Sequence, residues 1–146
     1  MMPTDASRPR SLPYARGWIA LYGTALLIWM SLEDTGVVMP VIFGGTGALL
    51  ILLAQAGRFT FFATARHRVV SLFVALLGAG LGAGTALIAA ALMLIKNGWH
   101  SHVLPDFPFG LILDTLARAP FWAVAGTLFA LGWQWARWAF EDNRRE

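Results

Sequence analysis

VVSLFVALLGAGLGAGTALIAAALMLI, the run from Val69 to Ile95, carries no charged side chain and is bracketed by Arg68 and Lys96. As a helix rising about 1.5 Å per residue it would be roughly 40 Å long, more than the roughly 30 Å of hydrocarbon in a bilayer. In water such a helix would be apolar all round. In lipid it is a span.

Three more uncharged stretches lie outward from it. Gly17 to Leu32 is bounded by Arg16 and by Glu33 and Asp34, and Leu12 to Ala15 can extend it. Gly36 to Gly57 follows, and Ala119 to Ala136 lies between Arg118 and Arg137. Tyr22 is the one ionisable residue inside the four stretches. Lipid offers backbone groups no hydrogen-bond partner, so each stretch must be a helix, and the alternation of a membrane barrel is absent. The expected fold is all-α, an integral membrane four-helix bundle in a single transmembrane domain over 1–146, with spans 17–32, 36–57, 69–95 and 119–136.

Composition agrees with an apolar solvent. Apolar residues make up 58% of the chain and charged residues 13%, against about 45–50% and about 25% in soluble domains. A chain of 146 residues has no room for a catalytic domain beside four spans. Cysteine is absent, which excludes disulfides, thiol nucleophiles and cysteine metal sites. Lys96 is the sole lysine among eleven basic residues, the usage of a GC-rich bacterial genome.

Arginine placement sets orientation, since basic residues are retained on the cytoplasmic side. Arg8, Arg10 and Arg16 precede the first span, Arg58, Arg66 and Arg68 join the second to the third, and Arg137, Arg144 and Arg145 follow the fourth. The first connection has no basic residue, and the third has Lys96 and Arg118 offset by Asp106 and Asp114. The reading is a bacterial cytoplasmic (inner) membrane protein with both termini cytoplasmic, N-in and C-in. The net charge of +3 then reflects topology, not nucleic-acid binding. The first stretch ends in Glu33 and Asp34 without a small-x-small cleavage pattern, so it reads as a retained helix and not a signal peptide. Trp18, Trp29, Trp99, Trp122, Trp133, Trp135 and Trp138 all fall near a span end, as indole anchors at the headgroup level do.

Small residues mark the packing faces. Gly78 with Gly82, and Gly80 with Gly84, are pairs four apart that lie on opposite sides of the third helix at about 100° per residue. That helix is expected at the centre, with Gly44 in the second span and Gly126 in the fourth as matching surfaces. A phosphate loop is excluded because no Lys-Ser or Lys-Thr follows the glycines.

The third connection holds the chemistry. His100 and His102 share a face if extended, and Asp106 follows within ligand reach, so a cation site is conceivable. Solvated loop groups explain the same residues, and no metal or other cofactor is expected. Phe107 to Ala117, after Pro105 and Pro108, reads as a short interfacial helix. Trp99, Phe107 and Phe109 are the expected partner contacts. The spans lack the ionisable residues that ion-coupled transport uses, and no nucleophile and base pair can be named. Sequence thus points to a non-enzymatic accessory or structural subunit of a membrane complex, embedded in lipid and bound to other integral membrane proteins or to itself. The alternative is a small oligomeric transporter or channel.

Overall fold

A computed structural model describes residues 13–56, 67–100 and 105–142. Those residues form helices: α1 Pro13–Ser31, α2 Val38–Ala56, α3 His67–His100, α4 Phe109–Ala117 and α5 Ala119–Asp142. Three stretches are long and apolar enough to cross a membrane, Val38–Gln55, Val69–Trp99 and Phe109–Phe140, and Gly17–Ser31 is a shorter apolar helix. The chain is therefore a helical membrane protein.

Helix ends follow local chemistry. Pro13 opens α1, where its missing N–H is one of the donors a helix start leaves unused. At the other end Leu32 N–H donates to the Trp29 carbonyl at 3.1 Å and the Ser31 hydroxyl to the Ile28 carbonyl at 2.7 Å. The Asp34 carboxylate then accepts from Gly36 N–H at 2.9 Å, a side-chain-closed turn that reverses the chain into α2. Pro40 lies in the first turn of α2, where it costs no helix bond. α4 and α5 are parted at Arg118 because Pro120 has no N–H to offer the Leu116 carbonyl.

α3 runs on to His100, five residues beyond the expected end of its span at Ile95, so Lys96 and Asn97 are helical residues and not loop polar groups. α4 falls inside the expected Phe107 to Ala117 segment. It buries Ile112 and packs on the C-terminal end of α3.

α3 is the centre. α5 lies along one side of it and α2 along another, while α1 leans chiefly on α2. No comparable contact joins α1 to α5, so the expected four-helix bundle is not a closed ring in the described residues. Only 22% of the α2 window, 28% of the α3 window and 11% of the 109–140 window is fully buried, and the 109–140 stretch is the most exposed of the three.

Glycine sets the close approaches. A Cβ on Gly78 would strike the Gly126 carbonyl and Ala130, one on Gly82 the Trp122 carbonyl, and one on Gly126 the Gly78 carbonyl. Backbones thus touch along α3 and α5, where Thr127 also donates to the Ala75 carbonyl at 3.3 Å. Gly44 performs the same function for α2, against the Thr85 carbonyl and Ala89. Gly84 is in ordinary contact with Ala48 at 3.5 Å, but Gly80 has nothing within 4 Å. The expectation that Gly80 sits in a helix seam is corrected: it turns toward an open groove, because the close approaches to α5 and α2 lie on other sides of α3.

Candidate functional site

The core gathers at one end, where the end of α1, the α1–α2 turn, the end of α3 and the start of α4 converge. Trp29, Met30, Met93, Phe107 and Ile112 are buried there. Among them lies Lys96, with 0% of its surface exposed.

A buried ammonium needs compensation, since desolvating a charge is costly. Lys96 Nζ donates to the Asp34 carbonyl at 2.8 Å, lies 4.5 Å from the centre of the Trp29 ring and 5.7 Å from that of Phe107. The electron-rich ring faces supply cation–π attraction of about 2 kcal/mol for a desolvated pair. Asn97, the next residue, clamps the other side: its Nδ2 donates to the Phe107 carbonyl at 2.7 Å and its Oδ1 accepts from Phe107 N–H at 2.8 Å. Two neighbouring side chains of α3 thereby fasten both connections at this end.

The Asp34 carboxylate completes the cluster. Besides Gly36 N–H it accepts the Trp29 indole N–H at 3.0 Å. Its carboxyl is held below the ordinary carboxylate range, first by the Gly36 N–H, then by the Trp29 indole, with the nearby Lys96 charge adding to both. A lowered folded value means that the stabilisation is complete above the ordinary value near 4 and is lost as pH falls through the folded value. Melting temperature in detergent is therefore expected to hold from about pH 7 to about pH 5 and to fall below about pH 4, and Asp34→Asn should reduce that fall. An unchanged acid limb in Asp34→Asn would contradict it.

These partners change several sequence readings. Trp29 is buried against Phe43 and Lys96 and is not a lipid anchor, whereas the other six tryptophans are exposed. Phe107, expected to meet a partner, is 0% exposed, because its ring covers Lys96 and its backbone is tied to Asn97. Trp99 and Phe109 are each 66% exposed and remain available.

His102 lies outside the described residues, as does the side chain of His100. Asp106 is partly buried beside Phe107. Among the described residues no group of three His, Asp or Glu side chains could hold a metal. Sequence reading missed Lys96, Asn97 and Asp34 as a unit. The available signal was the sole lysine on the same expected side as Glu33 and Asp34.

This arrangement can fasten and position; it offers no nucleophile with a base. No family model matches the chain, and no curated protein or solved structure matches it either.

Proposed function

We propose that this chain is an accessory or structural subunit of a larger complex in a bacterial cytoplasmic membrane, with both termini in the cytoplasm. One observation carries the reading: the ring of described helices is left open, so that α1 and α5 present apolar flanks that none of the other described helices covers. On α5 these include Phe121, Leu128, Phe129, Trp133 and Trp135. Such flanks are open to lateral contact with lipid and with other membrane helices, and Trp99 and Phe109 extend the contact surface at the outer end.

Two further features support it. Lys96, the one charge within an α3 span, is engaged by internal contacts and is thus not free to relay an ion. Orientation rests on the nine arginines of the N-terminal segment, the α2–α3 connection and the tail.

The test is native mass measurement of the full chain after gentle detergent extraction from its host. The expected result is a complex of fixed stoichiometry with another integral membrane protein, weakened about tenfold or more when Phe129 and Trp133 are both replaced by Ala, with the melting temperature of the chain retained. A lone homo-oligomer that moves ions or solutes in liposomes would favour the transporter reading instead.

A further inference from the structure

Two charges of opposite sign stand on the exposed side of the α4–α5 span. Arg118 N–H donates to the Asp114 carbonyl at 3.3 Å and Trp122 N–H to the Arg118 carbonyl at 3.1 Å, so helical spacing carries across the break between the two helices. Asp114, Arg118 and Trp122 therefore follow one another a turn apart along one stripe, and all three are exposed. Among the described residues no ion pair engages either charge.

Depth follows from what the stripe lies against. The Trp122 carbonyl stands where a Cβ on Gly82 would be, and Gly82 is the midpoint of the uncharged Val69 to Ile95 run. Thr115 donates to the Met93 sulfur at 4.0 Å, close to the end of that run. In a bilayer centred on Gly82, Arg118 starts about 6 Å and Asp114 about 12 Å from the middle, within the hydrocarbon half-thickness of roughly 15 Å. Helix side chains lean toward the helix start, here toward the nearer headgroups, and the arginine stem can carry its charge there. The cation is thus the deeper charge and the carboxylate the shallower, whichever face of the membrane is outside.

Charges at such a depth need a partner. A lipid phosphate would meet the Arg118 guanidinium in charge-assisted hydrogen bonds, but a headgroup that is only anionic would set its charge beside Asp114. A headgroup whose phosphate is followed toward water by a primary ammonium presents the complementary charges in the matching order. Gly110, the next position along the stripe, has nothing within 4 Å of where a Cβ would stand, which leaves room for that ammonium. Deeper in, the exposed Phe121 and Trp122 offer aromatic surface to acyl chains. A second copy of the chain is the poorer match, since a two-fold axis along the membrane normal sets Arg118 against Arg118 at equal depth.

We infer that the Asp114–Arg118 stripe binds the headgroup of a zwitterionic aminophospholipid, Arg118 holding the phosphate and Asp114 the ammonium. The assignment does not depend on the subunit reading, because the stripe belongs to a single copy of the chain.

The purified full chain would be followed by native mass spectrometry with phosphatidylethanolamine, phosphatidylglycerol and phosphatidylcholine of identical acyl chains. Wild type is expected to retain one phosphatidylethanolamine about tenfold more strongly than either competitor, phosphatidylcholine having no ammonium N–H to donate to the carboxylate. Arg118→Gln should lose it by about tenfold at unchanged melting temperature, and Arg118→Lys, which keeps the charge, should retain it. Asp114→Asn should still bind lipid but now prefer phosphatidylglycerol, a reversal that a structural role of Asp114 would not produce. Equal retention of the three lipids by wild type, or an unchanged preference in Asp114→Asn, would overturn the zwitterionic headgroup. Full retention by Arg118→Gln would overturn the phosphate contact. A dimer in wild type that is lost in Arg118→Gln, with no lipid retained by either, would show a second copy covering the stripe and overturn the lipid assignment.

Discussion

Gly82→Leu is expected to separate α3 from α5, with loss of more than about 3 kcal/mol of stability, at the upper end of what overpacking costs. The obstacle is backbone, not a side chain that can swing away: even a Cβ at Gly82 would run into the Trp122 carbonyl and the Ala123 amide. Gly80→Leu, two residues away, turns into open space and should leave the melting temperature within a few degrees of wild type. Detergent-solubilised yield and thermal unfolding of the two variants provide the comparison. Equal behaviour would contradict the α3–α5 seam.

Phe107→Ala should be the second large loss, about 3–5 kcal/mol, the range for removing a buried aromatic ring. Truncation would also strip one ring face from the Lys96 ammonium and loosen the connection that Asn97 clamps. Phe109→Ala, two residues on and exposed, should change stability by no more than about 0.5 kcal/mol. The check is unfolding by titrated denaturing detergent. Similar midpoints for the two variants would mean that Phe107 is not part of the core.

The contrast between Phe107 and Phe109 shows where sequence reading stops. Both are aromatic residues beside a proline in one connection, and nothing local tells the buried one from the exposed one. Burial of Phe107 is decided by Asn97, ten positions earlier, and by Lys96, which itself reaches Asp34 across 62 positions. Such pairings follow from how helix ends meet, a tertiary property. Lys96 accordingly reads as a loop charge in sequence, though it is the cation that links the α1–α2 and α3–α4 connections.

What was legible was one-dimensional. The uncharged run through Val69 to Ile95 marks α3, and Pro108 followed by an amphipathic segment marks α4. The Gly78 and Gly82 pair announces close packing because small residues four apart share a helix face. The same rule could not show that Gly80 faces a groove, since spacing identifies a face but not its neighbour. Nor could apolar periodicity reveal that α1 and α5 stay apart, because lipid and protein are equally apolar surroundings for a span.

The proposed orientation puts the two ends of the molecule on opposite sides of the membrane, the Lys96 cluster outside and the arginine-bearing segments inside. The chain has no cysteine, so single substitutions report position without background. Thr35→Cys, in the exposed α1–α2 turn, and Glu146→Cys, in the tail, would each be treated in intact cells with a membrane-impermeant maleimide. The account predicts labelling of Thr35→Cys in intact cells and of Glu146→Cys only after lysis. Labelling of Glu146→Cys from outside, or protection of Thr35→Cys until lysis, would contradict it.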